Sequence, residues 1–233
     1  MTTNSPIIVA LDFPTLEQAH ALAKELDPQK CRVKVGKELF TRYGPAVLDN
    51  LHKLGFEIFL DLKFHDIPNT VAGACRSAAE LGCWMINVHA SGGSAMMEAA
   101  ANSISQARQK PLLIAVTVLT SLDDDALKMI GFSRDTKDAT QNLARLARDA
   151  GIDGVVSSAH DIVATKQNLG KDFLVVTPGI RPSGSASGDQ ARIATPNSAI
   201  SAGADYLVIG RPITQAENPL GALDSIIAEV SAV

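Results

Sequence analysis

The sequence predicts an α/β protein folded as one (βα)8 barrel, and three observations predict it. Short β-branched runs alternate with longer Ala- and Leu-rich segments along all 233 residues, the pattern of repeated βα units around a parallel sheet. Eight such units can be counted, and no Pro/Ser-rich linker or charge block divides them, which favours a closed barrel over an open doubly wound sheet. The composition, 46% hydrophobic but 4% aromatic, suits a core layered from Ala, Val, Ile and Leu. Barrels of roughly 200 to 250 residues are routinely single domains, so one domain is expected over 1–233.

Taken in order, the expected strands are Ile7 to Phe13, Arg32 to Gly36, Glu57 to Lys63, Trp84 to Ala90, Leu112 to Thr120, Gly154 to Ala159, Phe173 to Gly179 and Tyr206 to Ile213, each followed by a plausible helix. After the fifth strand Leu143, Leu146, Ala147 and Ala150 recur at helical spacing, and near the end Leu220, Leu223, Ile226, Ile227 and Val230 keep a similar stripe. Both stripes read as core. Gly55, Gly82, Gly151, Gly170 and Gly203 fall just past helical runs and before strands, where a C-terminal cap wants a left-handed residue. One stretch breaks the rhythm. Residues 178–190, Pro-Gly-Ile-Arg-Pro-Ser-Gly-Ser-Ala-Ser-Gly-Asp-Gln, are too long and polar for an ordinary turn, and loops after strands seven and eight of barrels often grip phosphate.

Several function classes are disfavoured by composition. A net charge of −4 with scattered Lys and Arg carries no footprint for nucleic acid. Cys31, Cys75 and Cys83 form no CxxC pair and have no His companion at zinc spacing, so they read as small core residues in a reducing compartment. The segment Met1 to Pro6 lacks the basic and apolar regions of a signal peptide, and no stretch approaches the ~18 apolar residues that span a bilayer. A soluble, cytoplasmic protein is expected.

The chemistry concentrates in Leu60-Asp61-Leu62-Lys63-Phe64-His65-Asp66-Ile67-Pro68-Asn69-Thr70, which sets an ammonium among carboxylates at the end of an apolar strand. Side chains two apart on a strand share a face, so Asp61 and Lys63 are expected to project the same way, with Asp66 in the following loop and Pro68 in the first turn of a helix. On barrel strands, polar residues at the C-terminal ends converge on one mouth. Asp12, Lys34, Asp61, Lys63 and Arg211 would all reach it, which points to a site for an anionic ligand rather than a core salt bridge. His65 and His89 flank this site but read as packing residues beside Lys63, while His20, His52 and His160 look like surface helix residues. Asp123, Asp124 and Asp125 read as acidic residues opening a short helix.

On these residues the chain resembles the orotidine 5'-monophosphate decarboxylases, lyases of uridylate synthesis. The carriers are Ala10-Leu11-Asp12, Lys34-Val35-Gly36, the run Asp61 to Thr70, Asn87-Val88-His89-Ala90, Val116 to Ser121, Thr177 to Arg181 and Ile209-Gly210-Arg211. The resemblance implies that Lys63 donates a proton to the pyrimidine carbon losing carbon dioxide and that Asp61 sits against the departing carboxylate. It implies that Lys34 and Asp66 complete an alternating charge network, that Asp12 and Asp66 touch ribose hydroxyls, and that Asp66 and Thr70 come from the neighbouring subunit of a homodimer. Thr120 would lie at the pyrimidine edge, and Arg181, Gln190, Gly210 and Arg211 would hold the phosphate. No cofactor, metal, nucleic acid or membrane partner is implied.

The alternative within the same superfamily is a magnesium-dependent decarboxylase of a keto-sugar phosphate, which would share Asp12, Asp61, Lys63 and Asp66 but carry a carboxylate where this chain has Lys34. An ammonium there would repel a divalent cation. A non-catalytic nucleotide-binding barrel would not need Lys63, and a sugar-phosphate isomerase would want a Glu or Cys base.

Overall fold

Parallel strands need a crossover long enough to hold a helix, and each predicted run has one. The computed structural model of the chain describes residues 3–182 and 194–231. Its strands are β1 (Ile7–Ala10), β2 (Arg32–Gly36), β3 (Ile58–Phe64), β4 (Met85–His89), β5 (Leu112–Val116), β6 (Gly154–Val156), β7 (Leu174–Thr177) and β8 (Tyr206–Ile209). All pairs are parallel, and β8 returns to β1, closing the barrel in sequence order.

The helices are α1 (Leu16–Glu25), α2 (Lys37–Tyr43), α3 (Ala46–Lys53), α4 (Pro68–Glu80), α5 (Ser94–Ile104), α6 (Asp124–Met129), α7 (Thr136–Asp149), α8 (Ile162–Leu169), α9 (Pro196–Ser201), α10 (Arg211–Thr214) and α11 (Pro219–Ser231). The predicted glycine stops hold: Gly55, Gly82, Gly151, Gly170 and Gly203 all have φ between 75° and 106°. The acidic run opens α6, with Asp123 capping it by accepting from the Ala126 N–H. His160 lies in a short 3-10 turn rather than a helix. Among the described residues no helix is long and apolar enough to cross a membrane. The three cysteines are buried thiols, each pushed up to about 12 by burial, which suits packing rather than reactivity.

Period-2 alternation sorts each strand into a wall facing the helices and a wall facing the barrel axis. Ile7, Val9, Val33, Val35, Leu60 and Ile86 face the helices. Ile8, Phe59, Ile114 and Val176, one from each odd-numbered strand, fill the axis with Met85. Several predicted strands ran too far at their C-terminal ends. β5 stops at Val116 rather than Thr120, and β8 at Ile209 rather than Ile213, so that Arg211 opens a helix instead of ending a strand. Apolar residues continue past the ladder because the loops themselves line the barrel mouth and the core: Val118 and Leu119 wall the cavity described below, and Ile213 is buried in α10.

The opposite end is closed by Arg32. Its guanidinium lies 4.2 Å from the Trp84 ring centroid and 5.3 Å from that of Tyr206, and these rings meet edge to face at 5.1 Å. It donates to the Ser5 carbonyl at 2.6 Å and the Thr3 carbonyl at 2.5 Å. Its Nε is 2.8 Å from Glu57 Oε2, an ion pair by proximity rather than by a directed hydrogen bond. Removing Arg32 strands the Glu57 carboxylate, and breaking such a pair costs about 3 kcal/mol. Arg32→Met is expected to lower the melting temperature by roughly 6 to 12 °C, and adding Glu57→Met to recover part of it. Circular dichroism melts would show the floor to be unimportant if the single variant shifted by less than about 2 °C.

Candidate active site

The C-terminal ends of β1, β2 and β3 bring four charges into one line. Lys34 points inward from β2 between the outward Val33 and Val35 and is only 7% exposed. Its Nζ lies 3.0 Å from Asp12 Oδ1 and 3.3 Å from Asp61 Oδ2. Lys63 Nζ reaches the other Asp61 oxygen, Oδ1, at 2.5 Å. The order is Asp12, Lys34, Asp61, Lys63, alternately negative and positive, with no net charge when all four are ionised. Burial works against the charge on Lys34, but Asp61 and Asp12 outweigh it and hold its pKa above the usual lysine value. Burial likewise works against the Asp61 carboxylate, and Lys34, Lys63 and Asn87 outweigh it and hold its pKa below the usual range. Lys34 and Asp61 thus keep one another charged.

Asp61 and Lys63 meet as strand alternation leads one to expect, but the backbone between them is not a regular strand. β3 pairs with β4 at Leu60↔Ile86 and again at Phe64↔Val88, so three residues of β3 stand against the single Asn87 of β4. Lys63 takes up the excess at φ 54°, the one positive φ among the described non-glycine residues. A left-handed residue with a Cβ costs about 1–2 kcal/mol. The Lys63 N–H, carried out of the ladder, donates to Asn87 Oδ1 at 2.8 Å, and Asn87 Nδ2 donates to Asp61 Oδ1 at 2.7 Å. Residue-type spacing gave Asn87 no role. An amide at an inward position of a mostly apolar strand was the available signal.

These ions form one wall of a cavity of about 690 Å³ at the mouth, a size suited to a small-molecule ligand. Val116, Val118, Leu119 and Thr120 from β5 and its loop, with Val156 and Pro178, make a mostly apolar wall. Gly179, Arg181, Gly210 and Arg211 from the ends of β7 and β8 add a cationic one. The sequence-derived Asp12, Lys34, Asp61, Lys63, Thr120, Arg181, Gly210 and Arg211 therefore converge. Asp66 and Thr70 do not line this cavity: both are exposed, and among the described residues the Asp66 carboxylate accepts only from the Ile67 N–H, at 2.6 Å. Within one chain it is Asp12, rather than Asp66, that completes the alternating line. Gln190 and most of the expected lid lie outside the described residues. The segments flanking them meet, since Ile180 bridges Ala194 and the Arg181 N–H donates to the Ala194 carbonyl at 2.9 Å.

His89 stands half-buried at the end of β4, its ring 5.5 Å from that of His65. Burial, and then the charges of His65, Lys37 and Lys63, push its pKa down to about 4, so near neutral pH it is an uncharged packing group. Unfolded chain takes up this proton below about pH 6.5. The folded chain does so only near pH 4, so acid favours unfolding across that window. His89→Gln is therefore expected to lose less stability than the parent between pH 6.5 and 4 in urea titrations. Parallel curves for the two proteins would show that His89 is not the group responsible.

Comparisons with known proteins identify the family and support the fold. The model of the Orotidine 5'-phosphate decarboxylase / HUMPS family matches residues 5–226. A protein of Alcanivorax borkumensis named Orotidine 5'-phosphate decarboxylase is 60% identical over 231 residues, covering 99% of this chain and 100% of that one. One of the same name from Marinomonas sp. is 58% identical over 231 residues, covering 99% and 98%. The crystal structure of Orotidine 5'-phosphate decarboxylase from Lactobacillus acidophilus superposes with a TM-score of 0.87 at 39% identity, covering 97% of this chain and 99% of that one. With a closed parallel barrel, a line of alternating charges at its mouth and a family match over nearly its whole length, the chain belongs to the orotidine 5'-phosphate decarboxylase / HUMPS family.

Proposed function

We propose that this chain is a single-domain carboxy-lyase converting orotidine 5'-monophosphate to uridine 5'-monophosphate and carbon dioxide, in pyrimidine synthesis, without metal or organic cofactor. The observation that carries the reading is the line Asp12, Lys34, Asp61, Lys63 on the cavity wall. Loss of carbon dioxide leaves an electron pair on a ring carbon, and with no cofactor to delocalise it the protein must stabilise that charge by groups already in place. Lys63 is such a group. Asp61 holds it as an ion pair, and its Nζ, a quarter exposed at the cavity, can hand a proton to the carbon as charge develops there. Asp61 also faces the position of the substrate carboxylate in this reading. Repulsion between the two would vanish as neutral carbon dioxide departs, so it acts on the ground state and not on the product.

The cationic wall would hold the phosphate through Arg181, Arg211 and the backbone at Gly210, with Gln190 joining from the lid. Binding energy from this remote group can offset the cost of placing a carboxylate against Asp61. Thr120 would meet the pyrimidine edge and Asp12 the ribose. A magnesium-dependent keto-sugar-phosphate decarboxylase is the less favoured reading, because the Lys34 ammonium sits between Asp12 and Asp61, the two carboxylates a divalent ion would need there.

The chain is proposed to work as a homodimer, in solution in the cytoplasm, with Asp66 and Thr70 reaching the partner's cavity. Support comes from the run 65–70, exposed throughout, with Ile67 67% exposed at its centre. In this reading Ile67, and Asp66, which has no ion pair among the described residues, meet the partner subunit.

Purified protein is expected to bleach the orotate absorbance of orotidine 5'-monophosphate in excess chelator; activity lost to chelator and restored by magnesium would sink the cofactor-free reading. Lys63→Ala should lower turnover by roughly 10⁴-fold or more while product affinity changes little. A variant keeping a tenth of parent turnover would remove Lys63 as donor.

The shared site has its own test. Asp66→Asn and Lys63→Ala proteins, each nearly inactive, can be mixed so that subunits exchange. Every mixed dimer would hold one site with both native residues and one with both lesions. With random pairing about half of all dimers are mixed, so activity should recover to about a quarter of the parent per subunit. Verified mixed dimers without such recovery would place Asp66 in its own subunit's site.

A further inference from the structure

We propose that Asn87 is a positioning residue for the reaction proposed above: a single buried amide that holds the Lys63 backbone at one end and the Asp61 carboxylate at the other, and so sets the aim of the ammonium. The inference rests on that functional reading for its kinetic consequence, and on geometry for the contact itself. Between Leu60↔Ile86 and Phe64↔Val88 the two strands differ by two residues, and Asn87 is the one β4 residue opposite the excess. A regular ladder would have offered the Lys63 N–H a main-chain carbonyl. The bulge removes it, and Asn87 Oδ1 stands in at 2.8 Å.

The other end of the amide is equally committed. Nδ2 donates at 2.7 Å to Asp61 Oδ1, the same oxygen that Lys63 Nζ reaches at 2.5 Å. Asp61 Oδ2 takes Lys34, so the carboxylate is held by three donors and cannot rotate without losing one. A donor must meet the carboxylate and an acceptor must meet the N–H, which leaves the amide one workable orientation. Among side chains of this length only Asn offers both ends. Asn87 is fully buried and does not line the cavity, so its effect on substrate passes through Lys63 and Asp61.

Asp at this position would keep the acceptor for Lys63 but could donate to Asp61 only when protonated. Ionised, it would set a second carboxylate against Asp61 Oδ1. The groups facing it are Asp61 and Lys63 of β3, Lys34 of β2 beyond Asp61, and His89 on its own strand, itself beside His65, while β5 presents the apolar Ile114. Two carboxylates sharing one proton titrate as a coupled pair with one step moved upward.

The experiment compares kcat, KM and pH profiles of Asn87→Leu and Asn87→Asp with the parent, alongside amide hydrogen exchange at Lys63 in the parent. Asn87→Leu is expected to lose about 10²-fold in kcat with affinity for uridine 5'-monophosphate little changed, as a misaimed group does. Asn87→Asp is expected to approach parent kcat at low pH and lose it as pH rises, on a limb the parent lacks. The parent Lys63 amide is expected to be strongly protected from exchange. Parent-like kcat in both folded variants, or an equal loss in both at every pH, would overturn the proposal. So would a Lys63 amide that exchanges as an open loop does, a readout that needs no variant to fold. A parent without decarboxylase activity would instead overturn the functional reading, and the exchange result would still decide the contact.

Discussion

Everything at the barrel mouth depends on one constraint: four ionised groups must share a partly buried space, and they can do so only in alternating order. A lone ammonium as buried as Lys34 would shed its proton rather than bear the loss of water. Flanked by Asp12 and Asp61 it keeps the proton, and Asp61, flanked by two ammoniums, keeps its charge as well. The order follows from parallel strands. β1, β2 and β3 are neighbours in sequence and in space, and each contributes its charge at the same end, so adjacent strands place adjacent charges. Reversing the sign of any member would leave two like charges within about 3 Å.

Regular pleating is not sufficient to join the last pair. An Asp and a Lys two apart on a flat strand share a face but stand side by side, and the lysine is much the longer of the two. The bulge in β3 folds the chain back at Lys63 and lets the Nζ end on the carboxylate it would otherwise overshoot. The cost is a left-handed lysine and a main-chain N–H outside the ladder, and the second of these is met by an inward amide on the next strand. Local strain at the candidate site is thus held in place by a hydrogen bond from the strained residue to a buried amide on the neighbouring strand.

The barrel is legible in the sequence because its two periodicities, 2 for strands and about 3.6 for helices, alternate eight times with glycine stops between them. All eight strands form. Their C-terminal limits were less legible, since Val118, Leu119 and Ile213 are as apolar as strand residues while serving a cavity wall or the core. Most of the site was legible too, as charges on otherwise apolar strands stand out against their surroundings. Asn87 did not stand out in this way, because an uncharged amide gains its meaning only from the bulge opposite it, and a bulge has no signature in a run such as Asp61-Leu62-Lys63. Asp66, which the resemblance assigns to the neighbouring subunit's site, is exposed, and the described residues of one subunit give it no cation.

The two ends of the barrel contrast a cation enclosed by its partners with one that is partly open to a cavity. Arg32 at the floor is enclosed: a carboxylate, two carbonyls and two aromatic faces surround its guanidinium. Lys63 at the mouth has, among the described residues, one partner for an ammonium that carries three protons, and it faces a cavity. Satisfying Lys63 as fully as Arg32 would stabilise the fold and leave the ammonium nothing to offer a ligand. Stability at the other end comes from the layers of Ile8, Phe59, Ile114 and Val176 and the floor beneath them. A closed barrel permits this division because its strands connect the two ends rigidly, so tightly packed groups below can hold an incompletely satisfied charge in position above.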